Sequence, residues 1–205
     1  GTPAHLTVGG DLLVTNKARV FVYSAATNAV HTEYGARVRV QGKTRIATNS
    51  WVYLSSHPTN GGSVKLQVVD LAVDAGGTIR ANKGYAGGTS AYGVGYGPGG
   101  GTGGGWYTPR GGGYGGVGGG GSVTYGCANA PVQPGSGGQG GGDPGRGAGG
   151  RAGGGLVWVE ATGRIDLNGT ISADPPDHGI SGLGGGGSGG GVYLRCRTFR
   201  GGDGG

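Results

Sequence analysis

Apolar residues fall along the first part of the chain in short alternating runs. They are Leu6-Thr7-Val8, Leu12-Leu13-Val14, Val20-Phe21-Val22-Tyr23, Val38-Arg39-Val40, Trp51-Val52-Tyr53-Leu54, Val64-Lys65-Leu66-Gln67-Val68 and Leu71-Ala72-Val73. β-Branched and aromatic residues dominate them, and Gly, Asn, Asp or Ser separates one from the next, so each run predicts a short strand. The segment from Val38 to Leu54 packs three apolar stretches and two corners into one short length of chain. Hairpins would need Asn-Gly or Asp-Gly loops at their reversals, and Asn60-Gly61 and Asn168-Gly169 cannot join so many strands. Short strands with tight corners fit the coils of a parallel β-solenoid, where inward Val, Leu and Ile stack from coil to coil.

The same grammar returns late in the chain. Leu156-Val157-Trp158-Val159-Glu160, Gly163-Arg164-Ile165-Asp166-Leu167-Asn168-Gly169-Thr170-Ile171 and Val192-Tyr193-Leu194-Arg195-Cys196 repeat the alternation. Thr78-Ile79-Arg80-Ala81-Asn82-Lys83-Gly84 and Thr170-Ile171-Ser172-Ala173-Asp174 read as two copies of one unit, each leading into a glycine-rich excursion. Gly201-Gly202-Asp203-Gly204-Gly205 reads as the start of a third.

Glycine changes the picture most. It supplies 59 of the 205 residues, with 9 before residue 84, 35 in 84–155 and 15 after. Its cost inside helices excludes a helix bundle, and runs such as Gly118 to Gly121 break any Gly-X-Y register and exclude collagen. Ordering glycine costs more backbone entropy than ordering any other residue, so either a regular glycine-built lattice or clamping by neighbouring chains is expected to hold such a tract. The chain therefore divides into solenoid coils over 1–83, a glycine-rich insertion over 84–155, and further coils over 156–205 with a short second excursion at 182–191. The expected fold is all-β, a single-stranded parallel β-helix or solenoid with an inserted, polyglycine II-like region.

These residues resemble glycine-rich, right-handed parallel β-helix (pectin-lyase-like) surface proteins of bacteria. The resemblance is carried by Leu71-Ala72-Val73-Asp74-Ala75-Gly76-Gly77-Thr78-Ile79-Arg80-Ala81, by Tyr125-Gly126 followed by Pro134-Gly135-Ser136-Gly137-Gly138, and by Gly153-Gly154-Gly155-Leu156-Val157-Trp158-Val159. Asn168-Gly169-Thr170-Ile171-Ser172-Ala173 and Gly186-Gly187-Ser188-Gly189-Gly190-Gly191-Val192-Tyr193-Leu194 complete it. It implies a large exported protein of which this chain is a portion, and it brings no catalytic residues with it.

Within the tract, runs such as Gly99-Gly100-Gly101-Thr102-Gly103-Gly104-Gly105 are compatible with left-handed helices of three residues per turn. Such helices can lie side by side, each backbone N–H donating to a neighbour's carbonyl. Tyr85, Tyr92, Tyr96, Trp106, Tyr107, Tyr114 and Tyr125 punctuate the tract. They either cap a glycine sheaf or offer a stacking surface to sugars, with Trp106, Tyr107 and Tyr114 as the candidate glycan-stacking residues.

Charge adds a mild bias, +6 at neutral pH, which attracts anionic surfaces weakly and also serves solubility. No apolar run is long enough to insert in a membrane. The start, Gly1-Thr2-Pro3, has neither Met nor a signal peptide, as expected of a processed product or a fragment. Cys127 and Cys196 fit no metal motif, and either close a long-loop disulfide at the base of the insertion or remain two buried thiols.

Several catalytic patterns occur by chance in so glycine-rich a chain. Gly95-Tyr96-Gly97-Pro98-Gly99-Gly100 opens no helix, Gly186-Gly187-Ser188-Gly189-Gly190 lacks the helix a nucleophile elbow needs, and Gly42-Lys43-Thr44 lacks the first glycine of a P-loop. The carboxylate pairs Asp70/Asp74 and Asp174/Asp177, the latter beside His178, suit turns or a weak cation site better than acid/base chemistry. Gly137-Gly138-Gln139-Gly140-Gly141-Gly142-Asp143 misses the calcium-binding nonapeptide by one residue. Asn168 heads a formal glycosylation sequon that also reads as a strand corner. Arg110, Arg146, Arg151 and Arg200 sit in sparse RGG-like contexts, too thin to expect RNA binding.

The expectation is an extracellular or cell-surface structural protein, not an enzyme. It would need no cofactor and no metal, bind no nucleic acid, and partner copies of itself end to end in a fibre, stalk or surface layer. The alternative is an adhesin, of the cell surface or phage type, that binds surface glycans through its Tyr- and Trp-bearing glycine loops.

Overall fold

The computed structural model describes residues 3–28, 33–142, 148–176 and 183–202. They form three parallel sheets and, among these residues, no helix. The first sheet holds β1 (Ala4–Val8), β4 (Ala36–Val40), β7 (Val64–Val68), β10 (Leu156–Ala161) and β13 (Gly191–Arg195), side by side in that order. The second holds β2 (Leu12–Val14), β5 (Lys43–Ile46), β8 (Asp70–Val73), β11 (Arg164–Leu167) and β14 (Thr198–Gly201). The third holds β3 (Arg19–Tyr23), β6 (Trp51–Ser55), β9 (Thr78–Lys83) and β12 (Thr170–Ser172). The chain thus visits the three sheets in rotation, and all neighbouring strands run parallel.

Alternation in sequence becomes columns in space, because side chains of a strand point to opposite faces by turns. Leu6, Val38, Leu66, Val159 and Leu194 stand in register across the first sheet. Leu12, Thr44, Leu71, Ile165 and Phe199 do so across the second, and Val20, Val52, Ile79 and Ile171 across the third. The middle members of all three columns meet in a single apolar core. The two predicted copies of one unit lie directly beside one another, Thr78 opposite Thr170 and Ile79 opposite Ile171.

Connections differ sharply by corner. From the first sheet to the second the chain needs only 9–11, 41–42, Val69, 162–163 and 196–197; from the second to the third it uses 15–18, 47–50, 74–77 and 168–169. Left-handed backbone makes three of these second corners, at Asn16 and Lys17 (φ 58° and 60°), Asn49 (φ 58°) and Gly76 (φ 77°), and Asn or Gly, which carry the smallest penalty, serve in each. The long connections, 24–35, 56–63, 84–155 and 173–190, all run from the third sheet back to the first. Gly201, expected to open a third excursion, instead ends β14, because Thr198-Phe199-Arg200 continues the second sheet's column on Ile165. Gly1, Thr2, Asp143, Arg146, Asp177, His178, Gly182 and 203–205 lie outside the described residues.

Candidate functional site

Two surfaces gather chemistry-bearing side chains. The first is the outer face of the first sheet. Lys65, Trp158 and Tyr193 stand in register there, as do Gln67, Glu160 and Arg195. The Lys65 ammonium lies 2.9 Å from Glu160 Oε1 and 4.4 Å from the centre of the Trp158 ring. Gln67 Nε2 and Trp158 Nε1 also donate to the Glu160 carboxylate, at 3.3 and 3.2 Å. Burial pushes this carboxyl up, but the hydrogen bonds from Lys65 and Gln67, with the Lys65 charge and Trp158, outweigh it and hold Glu160 below the usual range. An open groove of about 770 Å³ lies over Trp158 and Tyr193. A neighbouring groove of about 630 Å³ shares Glu160 and Arg195 and is lined by Arg39 and Arg197 as well. Those three arginines have no ion-pair partner among the described residues, so this face attracts anions.

The second surface belongs to the glycine tract. Its centre is the segment 134–142, buried along its whole length. The partners of that segment recur every third residue. Gly135, Gly138 and Gly141 donate to the carbonyls of Gly154, Arg151 and Ala148; Gly137 and Gly140 donate to Tyr96 and Gly93; and the Ser136 and Gln139 carbonyls accept from Ser188 and Gly185. A paired strand would alternate with a period of two, which this segment does not. Successive residues of the segment thus bond to different neighbouring stretches of chain, and the segment lies in the interior of the tract. The packing leaves no room for side chains: a Cβ on Gly140 would sit inside the Ser90 carbonyl, and one on Gly138 inside that of Gly185.

Ser136 and Gln139, three apart, share one side of this segment and are 0 and 2% exposed. Ser136 Oγ accepts from Gly99 N at 3.0 Å and donates to the Tyr125 hydroxyl at 2.9 Å. Gln139 is bonded to the foot of the loop 104–110: its Oε1 accepts from Gly104 N at 2.8 Å and Arg110 N at 3.2 Å, and its Nε2 donates to Gly104 O at 3.2 Å.

The residues singled out from sequence do not gather in one place. Trp106 and Tyr107 are exposed on the loop that Gln139 anchors, with the Trp106 ring against Tyr92. Tyr114 packs edge-on against Tyr125, at 5.0 Å, and burial raises the phenols of both, so it belongs to the tract's interior. Asn168 is exposed at a corner between the second and third sheets, its N–H donating to Val73 O. Cys127 and Cys196 are unbonded: Cys127 is exposed, while Cys196 packs against the core at the end of β13. Of the carboxylates, Asp70 accepts from Arg164 N at 2.9 Å, and Asp74 pairs with Arg45 at 2.8 Å. Among the described residues no three of His, Cys, Asp and Glu gather to hold a metal, and no helix is long and apolar enough to cross a membrane.

No family model matches this chain, and no curated protein or solved structure matches it significantly. The reading therefore rests on its own residues. Sequence reasoning missed Lys65, Glu160 and Tyr193 as a group, because only the register of β7, β10 and β13 aligns residues so far apart. It also missed Ser136 and Gln139, though their spacing of three within a run of glycine was a readable signal.

Proposed function

We propose that this chain is an extracellular structural protein, a closed right-handed parallel β-solenoid carrying a polyglycine II sheaf, which assembles end to end with copies of itself. The observation that carries the reading is the state of the two ends of the stack. Leu6 and Phe199, whose columns are buried at their centres, are 57 and 54% exposed where those columns stop. Among the described residues, strands β1, β2 and β3 at one end, and β12, β13 and β14 at the other, also keep one edge of backbone donors and acceptors without a neighbouring strand. Edges of this kind accept a further parallel strand, and apolar columns open to water favour a further coil. Further coils supply both at once, and where a second copy provides them the contact is head-to-tail and repeats without closing.

The three-residue recurrence of hydrogen bonds around 135–141 supports the polyglycine II part. An architectural role is also favoured over an enzymatic one by Glu160. The most elaborately bonded carboxylate on the open face is tied to three neighbours that keep it charged, the opposite of what a proton donor needs.

Electron microscopy across a concentration series tests the proposal, with fibre diffraction on aligned material. The expected result is filaments with a meridional spacing of about 4.8 Å, the strand separation along the stack. Particles of one chain at every concentration would overturn it.

A further inference from the structure

Tyr92 and Trp106 hang from neighbouring points of the same buried segment. Tyr92 N donates to Gly140 O at 3.1 Å, and Gly142 N donates to Trp106 O at 2.7 Å. Their rings are 5.7 Å apart and inclined at 51°. Tyr107 follows on the same loop and is 69% exposed; Tyr92 and Trp106 are 47 and 38% exposed. The backbone is organised around this display. Tyr92 has φ of 61°, a left-handed conformation that a bulky residue holds only against strain, in a chain that uses glycine freely elsewhere. The loop carrying Trp106 and Tyr107 is pinned at its foot by three hydrogen bonds with the buried Gln139, which accepts two and donates one, and is tightened by Gly105 N donating to Thr108 Oγ1.

We propose that Tyr92, Trp106 and Tyr107 form a binding site for a neutral pyranose oligosaccharide. Each ring offers an apolar face, while the Trp106 indole N–H and the Tyr92 and Tyr107 hydroxyls have no hydrogen-bond partner among the described residues. A pyranose complements that mixture, having a flat C–H face to lie on a ring and a rim of hydroxyls to meet the unpartnered polar tips. A protein partner is the poorer fit, since a stable protein interface covers about 800 Å² on each side, more than three half-exposed rings provide. A loop already fixed by Gln139 loses little freedom on binding, which is how a small surface gains useful affinity. The site lies on the glycine tract and is independent of the end-to-end reading.

The test is a printed array of neutral hexasaccharides, with glucan, mannan, xylan and chitin fragments, probed with the full chain, followed by calorimetric titration of the strongest ligand. Trp106→Ala and Tyr107→Ala are each expected to weaken binding at least tenfold. Trp106→Phe, which keeps an apolar ring, should retain part of it, and Trp158→Ala on the first sheet's outer face should leave it unchanged. Far-UV circular dichroism identical across the variants establishes that the fold is kept. The proposal is overturned if no hexasaccharide binds, if binding is indifferent to Trp106 and Tyr107, or if only Trp158→Ala abolishes it.

Discussion

Thr44 is the one polar member of the column Leu12, Thr44, Leu71, Ile165 and Phe199. Its Oγ1 is buried without a hydrogen-bond partner. Beside it lies an apolar space of about 100 Å³ whose lining is otherwise made of Leu, Ile and Val side chains such as Leu12, Val20 and Val52. An ordered water there would need two or more polar partners and would find a single hydroxyl, so the lining holds water poorly. Leaving a hydroxyl unpaired in such a site costs about 1–3 kcal/mol. Thr44→Val exchanges that hydroxyl for a methyl of nearly the same size and is therefore expected to stabilise the chain by about 1–3 kcal/mol. For a chain of this length that raises Tm by about 2–4 °C per kcal/mol. Urea unfolding should show a higher midpoint with an unchanged slope. Thr44→Ser, which keeps the hydroxyl and deletes the methyl, should lower stability by about 1 kcal/mol. A Thr44→Val chain no more stable than the parent would refute the reasoning, because it would mean that the hydroxyl is satisfied and the interior wet.

Gly140→Ala is expected to disrupt the tract, since its Cβ overlaps the Ser90 carbonyl, whereas Gly119→Ala meets no atom within 4 Å and should be neutral or stabilise by up to about 1 kcal/mol; thermal melts of the two variants side by side check this, and equal effects would contradict the packing. The Glu160 carboxyl is held below its ordinary range, so its contribution to stability is complete above the unfolded pKa and is lost as pH falls through the lower folded value; Glu160→Gln should flatten the acid limb of stability against pH, and an unchanged limb would show that the Lys65 and Gln67 contacts do not stabilise the fold.

Much of the strand pattern was legible in the sequence, because period-two alternation and Gly or Asn corners are local properties. Val64-Lys65-Leu66-Gln67-Val68 declares both its strand and its inward face without reference to anything else. β14 was not legible, because Thr198-Phe199-Arg200-Gly201 is too short and polar to announce itself and becomes a strand only through pairing with Ile165 and its neighbours. For the glycine tract the sequence suggested side-by-side glycine helices but not which segment meets which. Which glycine faces which carbonyl depends on contacts between segments dozens of residues apart, and glycine has no side chain to encode the choice. The candidate surfaces divide in the same way. Trp106 and Tyr107 were visible as residue types in a glycine loop, while Tyr92 and Gln139 acquired roles only from where the tract places them.

Every long connection leaves the third sheet and re-enters the first, whatever its length. Because β10 lies beside β7, the chain that departs after Lys83 returns one layer further along, and 84–155 is a detour with neighbouring ends. Closing a detour costs entropy that grows only with the logarithm of its length. The corner therefore works as a socket. A segment of another size or chemistry could replace the glycine tract there without shifting a single rung of the three ladders, leaving variation free to change what hangs from that corner while the stacked sheets stay the same.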